Sequence, residues 1–192
     1  MASISRKVTA GYLIAQGSTS VYYPNSTTPA FTDSSFYKKC GKTSASGTIS
    51  GNGCAIVALG MFILYKGRLT NNSANTYDAV AEATRKGTNV AADFTAQGFT
   101  ATVGSSNVSV GITSIPDLSL AIQAGSVCMA RLQSGGKSHY VIVDGWNEIA
   151  TDFDRYLVAD PAGGKHITLK KAMENGGYPV NASSITQRYK FS

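Results

Sequence analysis

Residues 125–146 read GSVCMARLQSGGKSHYVIVDGW. Two short runs rich in β-branched and aromatic residues, VCMARL and HYVIVDGW, flank the turn-forming Ser-Gly-Gly-Lys-Ser. That composition predicts two strands joined by a turn. Further on, RYLVAD and HITL repeat the pattern, each bounded by Gly, Asp or Asn, so the carboxy-terminal half reads as consecutive antiparallel strands.

Working back from Gly125, the period becomes helical. Pro116 to Ala124 has Pro at its start and Gly125 after its end, which predicts a short helix. Asn75 to Lys86 carries Ala79, Val80 and Ala83 on one helical stripe and is followed by Gly87. From Ala55, AIVALGMFILYKG is an apolar run of helical length ending in Gly, so a buried helix should begin at or beside Cys54. Residues 16–53, rich in Ser, Thr, Gly and Asn, read as extended segments and loops. Helices followed by strands make an α+β chain. Its 192 residues suit one domain, an irregular amino-terminal segment over 1–45 and a core over 46–192.

Apolar residues make up 43% of the chain and charged residues 15%, the balance of a folded globular protein, and no apolar run reaches the ~18 residues of a membrane span. Membrane insertion is not expected. The opening MASISRKVTAGYLIAQG lacks the apolar stretch and cleavage site of a secretory signal, so synthesis without such a signal is expected. A net charge of +6 favours acidic partners. The basic residues are scattered outside Lys38-Lys39 and Lys170-Lys171 and come with no nucleic-acid motif, so nucleic acid is not expected, and an anionic cell-wall polymer would serve the charge equally well. Three cysteines, Cys40, Cys54 and Cys128, form no CxxC pair, which argues against a disulfide framework and a zinc site.

A reactive thiol gains from a helix start, where unsatisfied backbone NH groups and the helix dipole favour thiolate. Cys54 follows Gly51-Asn52-Gly53, whose small residues let backbone approach a substrate carbonyl. Its bland alternative is a small buried hydrophobe. Cys128, inside VCMARL, suits that alternative far better, and Cys40, beside Lys38 and Lys39 in a loop-like stretch, ranks second as nucleophile.

Two histidines are available as a general base. His139 opens a strand after a turn, where a side chain can face a cleft, or can equally be a polar residue at a strand end. His166 sits beside Lys165, whose positive charge tends to keep the ring neutral without supplying a carboxylate, and reads as a surface or packing residue. A catalytic imidazole needs a partner that orients it. His139 and Asp144 are five positions apart on one strand and face opposite sides of it. Asp160 ends RYLVAD, which returns antiparallel beside HYVIV, and Pro161 marks the strand's end. An ordinary turn Asp is the competing reading of Asp160.

Three blocks, GTISGNGCAIVALGMFILYKG, AIQAGSVCMARLQSGGKSHYVIVDGW and YLVADPAGG, resemble in order and spacing the C39-like branch of the papain-like cysteine peptidases. The likeness spans roughly residues 45–170. It implies a papain-like fold in which a nucleophile helix packs on an antiparallel sheet, with Cys54, His139 and Asp160 as triad and no metal or cofactor. Many members carry a Gln shortly before the nucleophile that helps bind the oxyanion; position 48 here is Thr. Gln16 is the candidate for that donor, with the Asn52 amide as another and the Cys54 backbone NH supplying one in any case. The resemblance further implies an amide-cleaving enzyme similar to phage and bacterial lytic domains (endolysins). On that resemblance peptidoglycan is the expected substrate, cut by an endopeptidase or amidase, and the cell wall the expected place of action, reached after release or as part of a virion. Alternatives of the same fold are a processing protease for leader peptides or virion maturation, and a catalytically silent binding module.

Overall fold

The structure is a computed structural model that describes residues 6–8, 12–16, 53–66, 101–102 and 114–191. Its contacts group the chain into two compact units. One comprises Met1–Lys7, Thr100–Asp160 and His166–Ser192, and the other Val8–Phe99 and Pro161–Lys165. The expected helix over Asn75 to Lys86, Cys40, Asn52 and the Lys38-Lys39 cluster lie outside the described residues.

In the second unit, α1 spans Cys54–Lys66. Its first intrahelical bond runs from Val57 N to Gly53 O at 3.0 Å. Val57, Ala58, Leu59, Met61 and Phe62 are all at most 1% exposed. These buried side chains spread well beyond one face of the helix, which is why its sequence shows a continuous apolar run instead of a stripe.

The first unit is an α+β arrangement around a six-stranded sheet. In chain order come β1 (Ala101–Thr102), α2 (Ile115–Gln123), β2 (Val127–Ser134), β3 (Lys137–Trp146), β4 (Tyr156–Asp160), β5 (Lys165–Thr168), α3 (Leu169–Gly176) and β6 (Ile185–Phe191). Across the sheet the order is β1-β6-β2-β3-β4-β5. β1 and β6, β6 and β2, β2 and β3, and β3 and β4 pair antiparallel. HITL therefore divides, its first three residues in β5 and Leu169 opening α3. The carboxy-terminal strand inserts between β1 and β2, a placement that the sequence reading did not include.

Alternate residues of the strands, Cys128, Ala130 and Leu132 on β2, Val141 and Val143 on β3, Val158 on β4, form one apolar cluster with Leu118, Ala121 and Ile122 of α2 and Leu169, Ala172 and Met173 of α3. Met129, Ile142 and Ala159, on the opposite parity, are also fully buried. Burial on both faces explains why these strands read as unbroken apolar runs.

Two local devices hold the helices. Ser114 caps α2 through a reciprocal box: its Oγ accepts from Asp117 N at 3.2 Å, and Asp117 Oδ2 accepts from Ser114 N at 3.1 Å. Thr168 Oγ1 accepts from Lys171 N at 3.2 Å at the start of α3, which ends at Gly177 in the left-handed conformation, φ +70°.

Candidate active site

Four polar side chains are buried among the described residues: Gln16, Asp144, Asp160 and Ser184. Buried polar groups are the informative exceptions in a core, because each needs a partner or a purpose.

His139 owes its position to the turn before it. Gly135 and Gly136 both take positive φ, 54° and 81°, as a two-residue hairpin turn requires, and so pair Ser134 with Lys137 and Leu132 with His139. His139 thus shares the sheet face of Leu132 and Val141. Asp160 is the last residue of β4, and its side chain shares the face of Val158. His139 Nε2 lies 2.6 Å from Asp160 Oδ1. The carboxylate is 3% exposed and the imidazole 14%. A charge-assisted bond of this length, sheltered from water, fixes the ring's orientation and directs its Nε2 proton to the carboxylate.

Asp144 has a different partner. At this residue the β3–β4 ladder slips, with Val143 opposite Val158 and Gly145 opposite Leu157. The Asp144 carboxylate lies 3.6 Å from the Arg6 guanidinium, and its carbonyl accepts from Lys7 N at 3.1 Å. Arg6 Nη1 also donates to Val158 O at 2.8 Å, and Nη2 to Ile167 O at 2.9 Å. Burial pulls the Arg6 pKa down, and the Asp144 charge pushes it back up.

In the second unit, Cys54 is the first residue of α1 and is 7% exposed. Gln16, also 7% exposed, donates its backbone NH to Pro161 O at 2.8 Å. Pro161 is the residue after Asp160 and begins the turn 161–164, closed by Gly164 N to Pro161 O at 3.3 Å. Gly164, φ +60°, packs so closely on the Gln16 segment that a Cβ there would sit 3.1 Å from Ala15 N. Sequence reasoning placed Gln16 in the aromatic-bearing amino-terminal stretch, and nothing in the sequence indicated that its backbone would be tied to the turn beyond Asp160.

Cys128 is fully buried in β2, and burial pushes its thiol pKa up to about 12. His166 is half-buried in β5. Among the described residues, no group of three or more His, Cys, Asp or Glu is placed to hold a metal ion, and no helix is long and apolar enough to cross a membrane. A groove of about 720 Å³ lies at the far end of β3 from His139, lined by Trp146, Phe153, Arg155, Tyr156, Lys170 and Asn181 among others. Neither His139 nor Asp160 lines it.

Compared with known proteins, no family model matches the chain, and neither a curated protein nor a solved structure does.

Proposed function

We propose that this chain is a papain-like cysteine peptidase that hydrolyses amide bonds with Cys54 as nucleophile, His139 as acid and base, and Asp160 as the group that orients His139. The observation that carries the reading is the sheltered His139–Asp160 bond at 2.6 Å. A carboxylate buried to this degree on an imidazole Nε2 is the arrangement that lets the other ring nitrogen, Nδ1, exchange a proton with a nucleophile and stabilises the imidazolium that results. Two further observations support it. Cys54 opens a buried helix, where the dipole favours thiolate, and Gln16 is a buried amide whose backbone is bonded to the residue after Asp160.

In this reading the Cys54 thiolate attacks the amide carbon, forming a C–S bond as the carbonyl π pair moves onto oxygen. The Gln16 side-chain amide and the Cys54 backbone NH donate to that oxyanion. Collapse breaks the C–N bond as the imidazolium of His139 gives its proton to the departing nitrogen. Water then attacks the thioester while His139 takes its proton, the C–S bond breaks, and thiolate and acid product are released.

For the substrate we propose the peptide part of bacterial cell-wall peptidoglycan. A net charge of +6 draws the chain to anionic wall polymers, an advantage that a processing protease would not need. The test is digestion of purified peptidoglycan beside a panel of unrelated polypeptides, followed by mass analysis of the fragments. New amine and carboxyl ends confined to the wall peptides support this substrate; cleavage of the polypeptides alone replaces it with the processing reading.

A further inference from the structure

We propose that Arg6 is a positioning residue for the His139–Asp160 pair, a clasp that holds β4 in register against β3 where their ladder slips. The proposal rests on the reading of that pair as catalytic.

The pair is only as well placed as the two strands that carry it. β3 and β4 are registered by four residue pairs, and the ladder is interrupted between the second and third, at Asp144. Side chains alternate along a strand, so a slip of one residue in β4 would turn Asp160 to the face opposite His139. At this weak point one guanidinium reaches three strands: Val158 O on β4, Ile167 O on β5 and the Asp144 carboxylate on β3. Val158 is two residues from Asp160, and Asp144 lies on the strand of His139, so Arg6 joins the two halves of the pair from outside it. The neighbouring backbone adds a fourth tie, Lys7 N to Asp144 O.

The chemistry of the clasp requires arginine. A planar fork can donate to two carbonyls from separate nitrogens while its charge faces a carboxylate; a lysine ammonium keeps the charge but is a single point on a flexible stem. A brace for the fold in general would lower stability and leave the bond between His139 and Asp160 unchanged in the molecules that remain folded. A clasp for the pair loosens that bond in folded protein.

The chain has two histidines, so ¹⁵N-histidine NMR with His166→Gln for assignment isolates the proton on His139 Nε2. The wild type is expected to show this proton protected from water exchange. In Arg6→Lys, with folding verified by thermal unfolding and by the emission of the single tryptophan, Trp146, the proton should exchange at least about tenfold faster. Peptidoglycan turnover should fall about 10²-fold with KM within about twofold. Unchanged protection in both Arg6→Lys and Arg6→Ala overturns the proposal, as does the unfolding of both variants, which makes Arg6 a fold brace. Should the wild type hydrolyse nothing, the peptidase reading falls while the NMR arm still decides the role of Arg6.

Discussion

His139 and Asp160 hydrogen-bond across the β3–β4 ladder without being directly opposite one another. The last registered pair is Ile142 with Ala159, so the next places Val141 across from Asp160, and His139 is the same-face neighbour one step further on. Diagonal neighbours of this kind are about 7–8 Å apart at the backbone and meet only through longer side chains. Imidazole and carboxylate together span that gap to 2.6 Å. The relation depends on two features, the Gly135-Gly136 turn that sets the register of β3 and the end of β4 at Asp160 before Pro161.

If Asp160 acts by orientation and by charge, its two conservative replacements should separate the effects. Asp160→Asn keeps an oxygen that can accept from Nε2 and loses the charge; Asp160→Ala loses both. Steady-state hydrolysis should drop by orders of magnitude in Asp160→Ala and by distinctly less in Asp160→Asn, whose amide oxygen can still accept from Nε2 and hold the ring. Equal losses in the two would leave orientation with no part in the mechanism.

Gln16 as oxyanion donor predicts a loss in turnover more than in binding. Gln16→Ala should lower kcat about 10²- to 10³-fold with little change in KM. Gly164→Ala should move activity in the same direction without touching the amide, because its Cβ would press on the Ala15 backbone at a φ of +60° that favours glycine. A Gly164→Ala enzyme with full turnover would show that the seat of Gln16 is unimportant.

Thiol chemistry should distinguish the cysteines of the two described elements. With the Cys128 pKa at about 12, its thiolate at pH 8 is about 10⁻⁴ of the total, and full burial blocks reagents as well. Native protein in a Cys40→Ser background, treated with iodoacetamide and mapped by mass spectrometry, should carry one adduct, on Cys54. Labelling of Cys128 before unfolding, or none on Cys54, contradicts the assignment of the nucleophile.

Asp154 gives a pH-dependent contribution to stability. A hydrogen bond from Thr168 Oγ1 at 2.8 Å, then one from Lys170 Nζ at 3.1 Å, hold its pKa below the usual carboxylate range. A carboxylate depressed in the folded state stabilises above its unfolded pKa, and the contribution is lost as pH falls through the depressed value. Asp154→Asn should therefore lower the melting temperature slightly at pH 7, with the gap closing on acidification. The effect is small because the side chain is 39% exposed. A gap that widens in acid would mean the charge is not the stabilising element.

Much of the sheet was legible because β2, β3 and β4 are apolar on both faces and bounded by turn residues, and α1 because thirteen residues without a charge until Lys66 follow a glycine. Beside the two-residue β1, the elements left unread are polar ones. LKKAMENG buries only Leu169, Ala172 and Met173, and its signals were the Thr168 cap and the Gly177 stop instead of any apolar run. ITQRYKF has charged or polar residues at alternate positions, and its insertion beside β2 depends on pairing between distant parts of the chain. The same distance hid the partner of Asp144. Parity along β3 separated it from His139, but nothing local to Asp144 points to Arg6.

The central claim is that the Cys54 thiol is the nucleophile, and the clearing of purified bacterial cell walls by the wild type and by Cys54→Ser tests it most directly. Wild-type protein should clear the suspension and release peptide fragments with new amine ends, while Cys54→Ser, folded to the same melting temperature, should leave the walls intact. Clearing by Cys54→Ser at the wild-type rate would contradict the account.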